Sequence, residues 1–74
     1  MDTQTTTMIV TGMTCGHCVA SVTEELKEVP GVTEVRVPDL VKGGDTEVFV
    51  ESEGPLDVPA AEAAVVEAGY TSRV

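Results

Sequence analysis

Seventy-four residues with fourteen valines, one phenylalanine, one tyrosine and no tryptophan are expected to form one domain, spanning 1–74. That is near the size at which burial only just offsets chain entropy, and the composition favours a strand-rich core of small branched side chains. Thirteen acidic residues against four basic ones, Lys27, Arg36, Lys42 and Arg73, give a net charge of -9, which a nucleic-acid phosphate backbone would repel; the acidity suits docking on a basic partner or, equally, solubility. No apolar stretch approaches the length of a membrane span and no secretory signal opens the chain, so no membrane insertion and a cytoplasmic location are expected, where a permanent disulfide is not.

In chain order, Met1 to Gln4 is polar and expected to be frayed. Thr7, Ile9 and Thr11 then alternate with Met8 and Val10, the period-2 pattern of a strand ending at Gly12. Thr14 is placed to cap a helix whose apolar residues Val19, Val22, Leu26 and Val29 recur at spacings of three, four and three. Glu24, Glu25 and Lys27 fall toward water, and Pro30-Gly31 is the expected stop.

Val35 and Val37 share one strand face, Val48 and Val50 another, and the residues Pro38 to Asp45 between them end in a turn at Gly43-Gly44-Asp45. Asp57 and Pro59 open a second helix with Ala61, Ala64, Val65 and Ala68 on one stripe and Gly69 as its C-terminal cap. Tyr70 to Val74 supplies a short closing strand. The order predicts an α+β, ferredoxin-like βαββαβ fold: a four-stranded antiparallel sheet with two helices on one face and the acidic alternation Glu47, Phe49, Glu51 on the other.

The soft-ligand chemistry is confined to Gly12-Met13-Thr14-Cys15-Gly16-His17-Cys18, which holds both cysteines and the lone histidine. Cys15 falls in the loop and Cys18 in the first helical turn, where unpaired backbone N–H groups and the positive helix end stabilise negative sulfur. Thiolates select Cu(I), Zn(II) or iron-sulfur over hard cations. A closed zinc site needs four ligands, and beyond residue 18 there is neither cysteine nor histidine, so one chain cannot complete it. Cu(I) can be held by two thiolates and leave again. Disulfide exchange is the rival reading, against which stand the short chain and Met13-Thr14 where a thioredoxin-like protein carries aromatic residues. No nucleophile has a visible base and no glycine-rich phosphate loop occurs, so no enzyme activity is expected.

With GMTCGHC after a strand, ELKEVPGV at the helix exit and AGY before the last strand, the chain resembles the heavy-metal-associated domain family over essentially its whole length. The resemblance implies Cu(I) on Cys15 and Cys18, Met13 packed beneath the loop, and Tyr70 near the metal as in bacterial copper chaperones. It implies a copper chaperone that passes its ion to a copper-transporting P-type ATPase or that ATPase's metal-binding domain; the alternative is an N-terminal module of such an ATPase. Met1 and an end directly after the last strand favour a small complete chaperone. The chain is expected to be monomeric without metal, with a copper-bridged dimer and in vitro Zn(II) binding as further expectations. His17 is expected to project into solvent, because adjacent helical positions point in different directions; a ligand role in a dimer or toward zinc is the alternative. The Pro38 to Asp45 connection is longer, and the surface more acidic, than the family pattern.

Overall fold

A computed structural model describes residues 2–74. Its elements are β1 (Thr3–Thr11), α1 (Gly16–Lys27), β2 (Val32–Arg36), β3 (Asp45–Glu53), α2 (Val58–Glu67) and β4 (Thr71–Arg73). The strands form one sheet in the order β2-β3-β1-β4, each neighbouring pair antiparallel. This is the expected α+β, ferredoxin-like arrangement.

The alternation read from the sequence sets the faces. Met8 and Val10 of β1, Val35 of β2, and Val48 and Val50 of β3 are buried in one cluster with Val22 and Leu26 of α1 and Ala61, Ala64 and Val65 of α2. Both helices therefore cover one face of the sheet. On the other, Glu47 is exposed while Phe49 and Glu51 are half-buried.

Three boundaries differ from expectation. Thr3 and Gln4 are not frayed: β3 is nine residues long and offers a partner to every residue of β1, from Thr3 opposite Glu53 to Thr11 opposite Asp45. The apolar alternation starts only at Met8, so the ladder, set by long-range pairing, extends the strand beyond the hydrophobic signal; Met1 lies outside the described residues. α1 stops at Lys27, with Glu28 as C-cap, before Pro30-Gly31, because proline disfavours helical backbone in the residue ahead of it. The turn into β3 spans Val41 to Gly44, closed by the Gly44 N–H on the Val41 carbonyl at 3.1 Å, and Asp45 already belongs to the strand.

The cap of α2 is as expected, and it places a side chain that matters below. Asp57 is the N-cap and its carboxylate accepts from the Ala60 N–H at 3.3 Å. At the other end Gly69 has φ +96°; its N–H donates to the Val66 carbonyl at 2.9 Å and the Tyr70 N–H to the Val65 carbonyl at 3.1 Å. This is a Schellman closure, which requires the left-handed conformation that glycine adopts without strain. It turns the chain into β4 with Tyr70 at the end of the sheet where β1 gives way to α1.

Candidate metal centre

β1 leaves the sheet at Gly12, whose φ of +99° redirects the backbone; a Cβ built there would lie 3.7 Å from Cδ1 of Tyr70, so the aromatic ring packs over the bend. Met13 then points inward and is fully buried. Cys15, and not Thr14 as expected, is the N-cap of α1, with extended backbone and no side-chain capping bond. Its carbonyl accepts from the N–H groups of Cys18 and Val19 at 3.1 and 3.2 Å. Thr14 does something else: its hydroxyl lies 3.8 Å from the Cys18 sulfur.

The two thiols are free, Cys15 exposed and Cys18 half-buried, with their sulfurs 3.6 Å apart. If each sulfur bonds a metal at about 2.3 Å, the zinc–thiolate length, that separation gives an S–metal–S angle of roughly 100°; an opening of about 1 Å makes the unit linear. Two thiolates at this spacing thus fit one soft ion and leave one side of it uncovered. Among the described residues no third histidine, cysteine or carboxylate gathers with them, and His17 is exposed.

The Cys18 pKa is lowered from the ordinary thiol value of 9.0 to about 6. The Tyr70 hydroxyl, donating to the sulfur, is the largest cause, followed by the Thr14 backbone N–H, the Thr14 hydroxyl and the Cys15 thiol, while burial acts in the opposite direction. The same hydrogen bond raises the pKa of Tyr70, because the donor must keep its proton. Since the folded pKa lies below the unfolded one, the Cys18 thiolate contributes its full stabilisation above pH 9; this declines as pH falls from 9 and is gone below about 6. Tyr70→Phe removes the leading donor, so the pH midpoint for alkylation of Cys18, followed between pH 6 and 9 in a Cys15→Ser background, is expected to rise above that of the same background with Tyr70 intact. Mass-spectrometric alkylation rates across that range check this, and an unmoved midpoint would assign the shift to Thr14 and the helix end.

The structure therefore brings Cys15, Cys18, Met13 and Tyr70 to one end of the sheet and leaves His17 in solvent. Sequence reasoning missed Thr14 as a partner of Cys18, although its i, i+4 spacing was a usable signal. Glu24 and Glu25 lie six and seven residues beyond Cys18, or about 9–10 Å along the axis of α1, so these acidic residues stand back from the sulfurs.

The heavy-metal-associated domain family matches residues 7–71. The chain belongs to this family. As a heavy-metal-associated domain it is 41% identical over 61 residues to the COP-associated protein of Helicobacter felis, covering 82% of this chain and 86% of that one. It is 44% identical over 64 residues, 86% of its own length, to Copper-transporting ATPase 1 of Rhizobium meliloti (strain 1021), of which it spans 7%. A solved structure of the CopZ metallochaperone superposes with a TM-score of 0.79 at 30% identity, over 95% of this chain and all of that one. The domain is related both to copper chaperones and to segments of copper ATPases. None of its described helices is long and apolar enough to cross a membrane.

Proposed function

We propose that this heavy-metal-associated domain is a Cu(I) carrier of the cytoplasm that holds one ion between Cys15 and Cys18 and passes it by ligand exchange to a copper-transporting P-type ATPase or that ATPase's metal-binding domain. The observation that carries the reading is the pair of free thiols 3.6 Å apart at the exposed start of α1 with no third ligand beside them. A two-coordinate ion held this way is open to attack. An incoming partner thiolate bonds to Cu(I), forming a three-sulfur intermediate, and one of the two original sulfur–copper bonds then breaks; no electrons change hands. Cys15 is the more exposed and is released first, while Cys18, fixed in the first turn of α1 and held by Tyr70 and Thr14, is the last attachment. The domain is monomeric until a second chain's thiolates serve as that partner, which would give a copper-bridged pair.

A second reading, an N-terminal module of a copper ATPase, is supported by the 44% identity to the Rhizobium protein; the binding chemistry is the same. The test is a titration of reduced protein with Cu(I) against a competing chelator, repeated with Zn(II). One Cu(I) per monomer is expected, with Zn(II) far weaker because two thiolates leave it short of its four ligands. Stopped-flow transfer to an ATPase metal-binding domain should then proceed at a rate set by partner concentration. A rate set by free, chelatable Cu(I) would remove direct exchange, and catalytic reduction of a disulfide substrate would favour a redox protein instead.

A further inference from the structure

β1 is longer than the strand that covers its outer side. β3 pairs with all nine of its residues, whereas β4 pairs only with Ile9, Val10 and Thr11. Backbone bonds just beyond the two ends of the β1–β3 ladder show which groups this leaves open. The Gly54 N–H donates to the Asp2 carbonyl at 2.9 Å and the Gly12 N–H to the Gly44 carbonyl at 3.3 Å. Even-numbered residues of β1 therefore turn their N–H and C=O groups toward β3, and odd-numbered residues turn theirs the other way. Ile9 and Thr11 meet β4 there. Thr3, Thr5 and Thr7 have no strand beside them among the described residues, and all three are exposed.

An edge of this kind is complementary to an extended polypeptide, because a strand presents donors and acceptors at the same two-residue repeat. Exposed edges are commonly blunted by lysine, proline or a bulge. Thr3-Gln4-Thr5-Thr6-Thr7 contains neither residue, and its register with β3 is unbroken. It is an uncharged run in a chain of net charge -9. A second copy would bring the same acidic charge to the edge, so the charge balance favours a basic occupant instead.

β4 shows how such an occupant is held. Arg73 stands opposite Ile9, yet its guanidinium reaches across β1 to the Asp45 carboxylate, opposite Thr11 on β3, at 2.8 Å. The same diagonal step from a residue opposite Thr7 leads to Glu47, which is exposed and makes no ion pair among the described residues. From opposite Thr5 it leads to the half-buried Phe49, and from opposite Thr3 to Glu51, the partner of Arg36, with the exposed Glu53 directly across. We propose that the Thr3–Thr7 edge of β1 binds an extended basic segment of a partner protein as a further antiparallel strand in line with β4, with basic side chains opposite Thr3 and Thr7 and an apolar one opposite Thr5. This goes beyond the carrier reading. Thr7 lies about 13 Å and Thr3 about 26 Å along β1 from Thr11, at roughly 3.3 Å per residue, so a partner held at this edge leaves Cys15 and Cys18 free for exchange.

Titration of isotope-labelled protein with a capped Lys-Val-Tyr-Val-Lys peptide, followed by NMR, tests this. Saturable shifts and slowed hydrogen exchange are expected at the Thr3, Thr5 and Thr7 amides, with little change at Cys15 and Cys18. A Glu-Val-Tyr-Val-Glu peptide should bind at least about tenfold more weakly, because like charges then face each other, and the difference should narrow at high salt. Thr5→Pro removes an N–H that the β1–β3 ladder does not use, and proline is tolerated on an edge strand with its nitrogen toward solvent; circular dichroism should show it folded, and it should lose the peptide. Glu47→Lys leaves the backbone edge intact and should weaken binding of the lysine peptide by about three- to tenfold. The proposal is overturned by the absence of saturable shifts at the three threonines, by equal binding of the two peptides, or by unchanged binding in Glu47→Lys or in a folded Thr5→Pro protein. Shifts at the same amides that follow protein concentration alone would place a second copy on the edge and overturn it as well. The readout needs no copper, so a protein that fails to bind Cu(I) leaves this proposal standing, and its own failure leaves the carrier reading untouched.

Discussion

Cys18→Ser is expected to abolish Cu(I) binding in the presence of a competing chelator, with a loss of more than about 100-fold, since removing even an outer partner of a metal ligand costs about 10- to 100-fold. The substitution exchanges a soft donor for a hydroxyl that Cu(I) binds poorly, and it does so at the sulfur that the fold has prepared. At pH 7 Cys18 is mainly thiolate, its pKa brought to about 6 by Tyr70 and by the Thr14 backbone and hydroxyl, so little proton release opposes binding there. Cys15→Ser should be comparably severe, because one remaining thiolate cannot bridge the ion. The two variants should differ in kinetics, however: residual copper on Cys15→Ser should exchange with added thiol more slowly than on Cys18→Ser, since Cys18 is the better-held attachment. His17→Ala is expected to stay within a few-fold of wild type, because the imidazole is exposed and no third ligand gathers at the thiols. Competition titrations of the three variants decide the matter; a loss in His17→Ala as complete as in the cysteine variants would replace the two-thiolate site by a three-ligand one.

Much of this arrangement was legible in the sequence because local pattern and tertiary packing agree. The apolar alternation of Met8 and Val10 in β1 and of Val48 and Val50 in β3, the four-three spacing of Val22, Leu26 and Val29, and the Asp57 to Gly69 frame of α2 all point to the same burial, so element order and core follow. Where a residue's role is decided by something distant, the pattern falls silent. Thr3 and Gln4 are strand because β3 is long enough to pair them, and nothing in Thr3-Gln4-Thr5 announces that partner. Thr14 has the composition of a helix cap, yet Cys15 takes the cap position and leaves the hydroxyl to the Cys18 sulfur. The nearness of Tyr70 to the site came only from the family resemblance; its physical cause, a Schellman closure that lands the ring over Gly12, needs the folded backbone.

Met13→Ala is expected to be the most destabilising single change near the site, while Met13→Leu should be close to neutral. Met13 is fully buried in the core cluster, and its carbonyl is the acceptor that fastens the loop to Gly43. Truncating a buried methionine to alanine costs about 2–5 kcal/mol through lost transfer energy and the cavity left behind. A chain of this length at 0.05–0.15 kcal/mol per residue has only about 4–11 kcal/mol in all, so the variant gives up a large share of its stability. At roughly 4–8 °C per kcal/mol for a domain of this size, the unfolding midpoint should fall by at least about 8 °C. Leucine conserves the volume and should cost less than about 1.5 kcal/mol. The leucine variant also separates packing from ligation, because it has no sulfur. Thermal unfolding followed by circular dichroism, together with Cu(I) competition, should show Met13→Leu folded and binding copper like wild type. A Met13→Leu protein that folds normally yet loses Cu(I) would instead make the Met13 thioether a ligand, drawn out of the core when the ion binds.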